Sequence, residues 1–139
     1  MAGDRKGKNE EKIPTIWLAG AGLNGFLGVA AGAFAAHADP GRFSAEALAW
    51  LKTGSFYQLV HAAALIGIAT LAFHRPGRLT DLTGWCFLLG PILFAAGLYA
   101  LAFDLAFWPG FAAPLGGTLM LLGWLGLMLI GLRRIGARP

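Results

Sequence analysis

Few side chains in this sequence could do chemistry, and two histidines, His37 and His61, are the most informative of them. Tyr57 and Gln58 precede His61 by four and three residues, so the three side chains share one face of any helix formed there. An imidazole ring can form hydrogen bonds, carry a proton, or bind zinc, copper or iron. Three interpretations therefore stay open: a structural contact between helices, a proton-linked or ligand-binding pocket, and a metal or haem site.

Two further polar residues lie in or beside apolar runs. Asn24 lies near the middle of the first run, where an unpaired amide would be costly, so we expect it to hydrogen-bond across a helix interface. Asp104 follows the third run, and we expect it to be solvated or paired with a histidine, Arg42 or Lys52. The sequence has one cysteine and no pattern typical of a nucleophile, a metal site or a nucleotide site. We therefore predict no catalytic residue, metal ligand or cofactor, and favour a protein that is not an enzyme.

The composition indicates a membrane environment for these polar residues. Hydrophobic residues make up 57% of the chain, charged residues only 13%, and the mean hydropathy is +0.63. Each of four charge-free stretches is long enough to cross a hydrocarbon core of about 30 Å as a helix. These stretches are residues 13–36, 53–74, 82–103 and 105–132. They are continuously apolar and do not alternate as membrane strands do, so they predict an all-α membrane protein.

We therefore expect four transmembrane helices in a compact bundle that forms a single domain over residues 13–134. The predicted spans are 15–36, 54–73, 83–103 and 115–132, with polar cytoplasmic tails at 1–12 and 135–139. Between the first two spans, Asp39-Pro40-Gly41 stops one helix and Ser44 is suited to cap the next. The mixed polar and apolar residues after Ser44 predict a short amphipathic helix on the outer surface, joined to the second span by a bend near Gly54.

Small residues recur at helical spacing in two of the predicted spans. Gly25, Gly28 and Gly32 form one stripe in the first span, and Gly116, Gly117 and Gly123 lie in the fourth. Such stripes let helix backbones approach closely. The partner helix belongs either to the same chain or to a second copy, and the sequence leaves both open.

Basic residues are distributed unevenly between the two sides of the predicted bundle. Nine of the eleven lysines and arginines lie before the first span, between the second and third, or after the fourth, whereas Arg42 and Lys52 lie on the other side. The positive-inside rule therefore predicts that both termini are cytoplasmic. The same distribution explains the isoelectric point of about 9.7 as a topological signal, so nucleic acid is not an expected partner.

Several motifs resemble those of one known family. Residues 32–38 read Gly-Ala-Phe-Ala-Ala-His-Ala, which resembles the Gly-Ala-Phe-Gly-Ala-His-Ala signature of the domain of unknown function 423 family, also called transmembrane protein 256-like. Residues 57–62 read Tyr-Gln-Leu-Val-His-Ala and are similar to its Tyr-Gln-x-x-His-Ala signature. Residues 93–99 are similar to its Leu-Phe-Ser-Gly-Ser-Leu-Tyr segment, without the serines, and 114–117 with Gly123-Trp124 to its last motifs. The resemblance implies a small four-span protein of bacterial inner membranes, and it supplies no activity, substrate or cofactor.

Two functional hypotheses follow. The first is a non-enzymatic structural or interaction protein that contacts the lipid bilayer and acts as a homo-oligomer or as an accessory subunit of a membrane complex, because small-residue packing surfaces are abundant. The alternative is a small transporter, channel or ligand-binding protein whose site includes His37, Tyr57, Gln58, His61 and Asn24.

Overall fold

The computed structural model describes residues 3–105 and 110–135, with side chains from Thr15 to Leu105 and from Gly110 to Arg133. It contains four helices, α1 (Gly3–His37), α2 (Ala45–His74), α3 (Arg78–Ala102) and α4 (Ala112–Ile135), and the described ranges contain no strand. Each helix holds a segment long and apolar enough to cross a membrane. The all-α fold with four transmembrane helices that the sequence predicts is confirmed. Most of the predicted tail at 135–139 lies outside the described residues.

The helices pack in the order in which they follow one another along the chain. α1 lies against α2, α2 against α3, and α3 against α4, while α1 also touches α3. Within the described ranges, the Cα atoms of α4 do not come within 8 Å of those of α1 or α2. Consequently α3 is the most covered helix, with 44% of its most apolar stretch buried, and α4 the least, with 22%.

The separate surface helix predicted after Ser44 is not present as an element of its own. Ser44 does cap a helix, since its hydroxyl accepts a hydrogen bond from the backbone N–H of Ala47 at 3.0 Å. That helix is α2, which continues without interruption to His74. No proline interrupts it, and Gly54 alone costs only about 1 kcal/mol in a helix, too little to break one whose Leu51 is buried in the core.

The interior consists of two apolar clusters with a polar layer between them. One cluster surrounds Trp17, Leu65 and Phe87, toward the end of the bundle that holds the turn between α2 and α3. The other surrounds Ala35 and Leu51 near the opposite end. Three polar side chains, Asn24, Gln58 and His61, are at most 2% exposed and lie along their helices between these clusters. The fold therefore places these three polar side chains close to the middle of the membrane-spanning bundle.

The glycines singled out in the sequence lie in seams within this one chain. A Cβ on Gly28 would lie 2.9 Å from Cγ of Leu59, and one on Gly32 would lie 2.7 Å from Oγ of Ser55, so both face α2. Gly25 faces Ala62 more loosely, at 3.8 Å. In α4, Gly116 meets the backbone of Gly90 and Phe94, and Gly123 meets Phe87, so both face α3. Gly117 has more space, with Phe94 Cδ2 at 4.0 Å.

Candidate functional site

His61 lies at the centre of the polar layer, and both nitrogens of its ring are engaged. Nδ1 lies 2.8 Å from the backbone oxygen of Tyr57, which can only accept a hydrogen bond. The indole Nε1–H of Trp124, which can only donate, points at Nε2 from 3.2 Å. These two partners together require a neutral imidazole with its proton on Nδ1 and a lone pair on Nε2.

Aromatic rings surround this histidine on three helices. The ring centroids of His61, Phe87 and Trp124 lie 5.0 to 5.9 Å apart, with Phe87 on α3 and Trp124 on α4. Tyr57 stacks one turn above His61 on α2, and its ring lies 4.8 Å from that of Phe94. Offset and edge-to-face pairs of this kind add about 0.5–1.5 kcal/mol each beyond the area that they bury.

A groove opens beside this cluster, in the space where the α2 and α4 backbones stay apart. Its volume is about 410 Å³, within the range typical of ligand pockets. We refer to it as the α2/α4 groove. Its lining residues are Tyr57, His61, Phe94, Gly117, Met120, Leu121 and Trp124. Leu121 is 72% exposed and Trp124 is 45% exposed, so the groove opens sideways, toward the lipid that surrounds a membrane-embedded chain.

Gln58 and Tyr57 have different surroundings although they are neighbours. Gln58 points between α2 and α3, where its Oε1 accepts a hydrogen bond of 2.7 Å from the hydroxyl of Tyr99. Tyr57 is 37% exposed, and its hydroxyl makes no hydrogen bond with any described residue. The three residues predicted to share a helix face therefore divide between a helix contact, for Gln58, and the groove, for Tyr57 and His61.

The two histidines that share one side of the predicted topology lie far apart. Opposed residues in the α1/α2 seam, such as Gly28 with Leu59 and Gly32 with Ser55, fix the register of the two antiparallel helices. That register puts His37, the exposed last residue of α1, at the level of Trp50. His61 lies eleven residues further along α2, or about 16 Å along the helix axis. His37 is therefore not part of the groove.

Asn24 does not form the cross-helix hydrogen bond expected of it. Its amide nitrogen instead donates to the backbone oxygen of Gly20, one turn earlier in α1, at 3.2 Å. Asparagine side chains readily bond to nearby backbone in this way. The amide oxygen is buried and has no partner within the described part of the chain.

Asp104 forms part of the cap that ends α3. It has a left-handed backbone, with φ of 54°, which aspartate tolerates better than most residues. Its N–H donates to the carbonyl of Leu101, and the N–H of Leu105 donates to that of Ala100, which is the hydrogen-bond pattern of a Schellman motif. Its carboxylate makes no ion pair with a histidine, Arg42 or Lys52 in the described structure.

The residue that sequence reasoning missed is Trp124. Tryptophan in a membrane protein is enriched at the two interfaces with water. Trp124 lies instead near the middle of α4, twelve residues from its start. That position and the Gly123-Trp124 motif are the sequence signals that could have singled it out, although neither would have shown that His61 on α2 is its partner.

No group of three or more His, Cys, Asp or Glu side chains lies close enough to hold a metal ion within the described ranges. At His61 itself, an incoming metal would have to displace the indole N–H from Nε2.

Comparison with known proteins gives a consistent family but no activity. The family description "Protein of unknown function (DUF423)" matches residues 31–117. A UPF0382 membrane protein of Haemophilus influenzae is 42% identical over 105 residues, covering 76% of this chain and 84% of that protein. The UPF0382 inner membrane protein YgdD of Escherichia coli K12 is 37% identical over 116 residues, covering 83% and 87%. A UPF0382 membrane protein of Staphylococcus saprophyticus is 31% identical over 113 residues, covering 81% and 92%.

No solved structure matches this chain. The family description covers more than half of the residues, and the relatives align along most of their own length. Their names agree with the four apolar helices in describing a membrane protein. The relatives described above are named UPF0382 membrane proteins, and the chain is a small multi-pass membrane protein that belongs to the DUF423 family.

Proposed function

We propose that this protein is a non-enzymatic membrane protein that binds an apolar ligand in the α2/α4 groove. The main observation in support of this proposal is the hydrogen bond between His61 and Trp124. It spans a gap between α2 and α4, whose backbones do not come into contact. Neighbouring helices elsewhere in the fold meet through glycines. At this gap, aromatic and polar side chains border a cavity of about 410 Å³ instead. Ligand pockets have this composition, with an apolar wall and a few placed polar groups.

The partners of His61 favour binding over acid–base catalysis. A general acid or base must lie within hydrogen-bond reach of the proton that it transfers. Both nitrogens of His61 are already engaged, one by a backbone carbonyl and the other by an indole N–H. Both groups instead hold the ring in one tautomer, which is useful for recognising a ligand by hydrogen bonding.

A groove-filling variant tests this proposal. Gly117→Leu adds a side chain at the groove wall, where a Cβ has 4.0 Å of clearance. Gly67→Leu is the matched control, because Gly67 is an exposed glycine of α2 with nothing within 4 Å and is not part of the groove lining. We expect native mass spectrometry and lipid analysis of protein extracted into nanodiscs to find a bound apolar molecule with wild type and Gly67→Leu, and to lose it with Gly117→Leu. An identical set of bound molecules in all three proteins would refute the proposal.

An oligomeric or accessory-subunit role is the second candidate. The observation in its favour is the position of α1 and α4 at the edges of the packing order, where α4 exposes apolar residues such as Leu125 and Met128. The small-residue stripes no longer favour it specifically, because their glycines face helices of the same chain. Native mass spectrometry in mild detergent together with pull-down from membranes tests it. A dimer or larger assembly, or a recovered partner subunit, would support this role, and monomer without a partner would exclude it.

For orientation, we propose that both termini are cytoplasmic. Arg75 and Arg78, in and after the turn between α2 and α3, and Arg133, at the end of α4, are exposed at the same end of the bundle. Cysteines introduced singly at Gly77 and at Gly41, in a Cys86→Ala background, distinguish the two sides. A membrane-impermeant thiol reagent added to intact cells should label Gly41→Cys and not Gly77→Cys, and the reverse pattern would overturn the orientation.

A further inference from the structure

We infer that the ligand of the α2/α4 groove is a neutral, long-chain molecule with a hydroxyl head, and that this hydroxyl inserts between His61 and Trp124. This inference rests on the proposed function and specifies the chemical class of ligand that the groove selects. The evidence comes from the charge of the lining, the hydrogen-bonding roles of the two side chains, and the space around Trp124.

The lining excludes a charged headgroup. Among the described residues that border the groove, none is an aspartate, glutamate, lysine or arginine. His61 is neutral in the tautomer that its partners require, so it offers no counter-ion to a phosphate or a carboxylate. His61 and Trp124 also lie about halfway along α2 and α4, far from the interfaces where charged lipid headgroups reside. A ligand whose polar atoms reach this depth must therefore be uncharged.

The hydrogen-bonding roles of His61 and Trp124 select a hydroxyl. Nε2 of His61 can only accept, because Nδ1 carries the ring proton, and Nε1 of Trp124 can only donate. A group inserted between them must donate to the histidine and accept from the tryptophan. A hydroxyl does both with one oxygen, whereas a ketone, ester or ether oxygen only accepts and would leave Nε2 without a partner. Insertion of a hydroxyl replaces one direct hydrogen bond by two.

The surroundings allow that exchange. The direct hydrogen bond is 3.2 Å, at the long end of the normal range. Trp124 is 45% exposed, so its indole has room to move outward and gives up only part of its edge contact with Phe87. The hydroxyl of Tyr57 on the same wall makes no hydrogen bond with a described residue and is available to a second polar atom of the ligand. The chain of the ligand would lie along Phe94, Met120 and Leu121.

Two matched pairs of probes test hydroxyl recognition in phosphatidylcholine nanodiscs. One pair is 1-dodecanol and dodecyl methyl ether, and the other is a decyl-substituted hydroquinone and the corresponding quinone. Members of a pair have the same chain, but only the first can donate a hydrogen bond. The readouts are the nitrogen NMR signals of His61 Nε2 and Trp124 Nε1, assigned with Trp124→Phe, and the ring signals of Phe94.

We expect the two hydroxyl probes to shift the His61 Nε2 and Trp124 Nε1 signals saturably, and to bind about fivefold more tightly than their partners, as one added hydrogen bond predicts. The tighter of the two hydroxyl probes assigns the ligand to aliphatic alcohols or to hydroquinones. In Trp124→Phe the hydroxyl probes should still shift Nε2, and in Gly117→Leu no probe should shift any of these signals.

The possible failures are distinguishable. If both members of each pair shift Nε2 equally, or if the probes shift Phe94 alone with equal affinity, the groove binds chains and hydroxyl recognition is refuted while the proposed function stands. If no probe shifts the Phe94 signals saturably, the groove does not bind apolar chains of this size, and the proposed function fails as well.

Discussion

α4 meets its two neighbours in opposite ways. Along α3, a Cβ on Gly116 would lie 2.6 Å from the backbone oxygen of Gly90, so the two backbones touch. Toward α2, the backbones stay more than 8 Å apart at the Cα atoms, and the indole of Trp124 reaches across to His61. The α3/α4 seam is thus a contact of main chains, and the α2/α4 groove is a gap bordered by side chains.

The seam and the groove are stabilised by different interactions. Within a bilayer there is little hydrophobic driving force between helices, so close packing of small residues holds a seam together. A gap of the size of the groove gains no such packing, and its walls must instead be stabilised by aromatic contacts and hydrogen bonds. We therefore expect substitutions in the seams to cost more free energy of unfolding than substitutions at the groove, where the expected loss is in ligand binding.

The largest effect is expected from Gly116→Ala. Its new Cβ would overlap backbone atoms of Gly90 and Phe94, which cannot move without shifting a whole helix. We expect a loss of about 3 kcal/mol or more in the free energy of unfolding in detergent. Gly117→Ala, one residue further, is the control, because its Cβ would lie 4.0 Å from the nearest atom and alanine favours helix by up to about 1 kcal/mol. Equal stability of the two variants would contradict the backbone contact.

A smaller effect is expected in the α1/α2 seam. A Cβ on Gly28 would lie 2.9 Å from Cγ and 3.2 Å from Cδ2 of Leu59, a side chain that is partly exposed and can adjust. We expect Gly28→Ala to lower the free energy of unfolding by about 1–2 kcal/mol. Gly25→Ala, with 3.8 Å to Ala62, should be neutral. Thermal unfolding of both variants measures this, and a loss in Gly25→Ala as large as in Gly28→Ala would show that the register is different.

The sequence predicts the seams better than the groove, for a physical reason. The number of helices follows from apolar length, because backbone groups in a bilayer must be satisfied within each helix. Glycine stripes are local patterns, so they are visible before the fold is known. The gap between α2 and α4 depends instead on how α3 separates them, and the partnership of His61 with Trp124 joins residues 63 positions apart. A lone histidine in an apolar run therefore indicates a partner without identifying it.

Two other differences between sequence and structure have local causes. The surface helix merges with α2 because the amphipathic pattern after Ser44 is compatible with a continuous helix whose Ala47 and Leu51 reach the core. Asn24 bonds to its own helix because the Gly20 carbonyl is one turn away and always within reach, whereas a partner on another helix requires a particular register. For Asn24, a short-range hydrogen bond thus replaces the long-range one that the sequence suggested.

The two tyrosines of the chain allow a comparison of the interior, where Tyr99 is hydrogen-bonded, with the groove, where Tyr57 lies. Tyr99 donates a 2.7 Å hydrogen bond to the buried Gln58, so Tyr99→Phe leaves Oε1 of Gln58 without this donor and should cost about 1 kcal/mol of unfolding free energy. Tyr57→Phe removes a hydroxyl that has no partner in the described structure and should leave stability unchanged. Chemical or thermal unfolding measures both. A destabilised Tyr57→Phe protein, or an unaffected Tyr99→Phe protein, would reverse the assignment of these residues to groove and interior.

Among the variants expected to lose stability, Trp124→Phe should lose the least. In the wild type, the ring centroids of Trp124 and Phe87 lie 5.0 Å apart. The phenyl ring of the variant should keep this aromatic contact and loses the hydrogen bond to His61. Hydrogen bonds between transmembrane helices contribute about 0.6 kcal/mol on average, so the loss should be of that size. Trp85→Phe is the control, since Trp85 makes an edge contact with Trp17 and no hydrogen bond within the described chain.

The same pair of variants shows whether the hydrogen bond holds the groove at one width. Spin labels on cysteines at the exposed positions Val60 and Leu125, in a Cys86→Ala background, report the distance between α2 and α4. Because the two backbones make no contact of their own, Trp124→Phe should broaden the distance distribution while Trp85→Phe leaves it unchanged. A distribution as narrow in Trp124→Phe as in wild type would mean that α3 alone sets the width of the groove. The indole could then bind a ligand without changing the distance between α2 and α4.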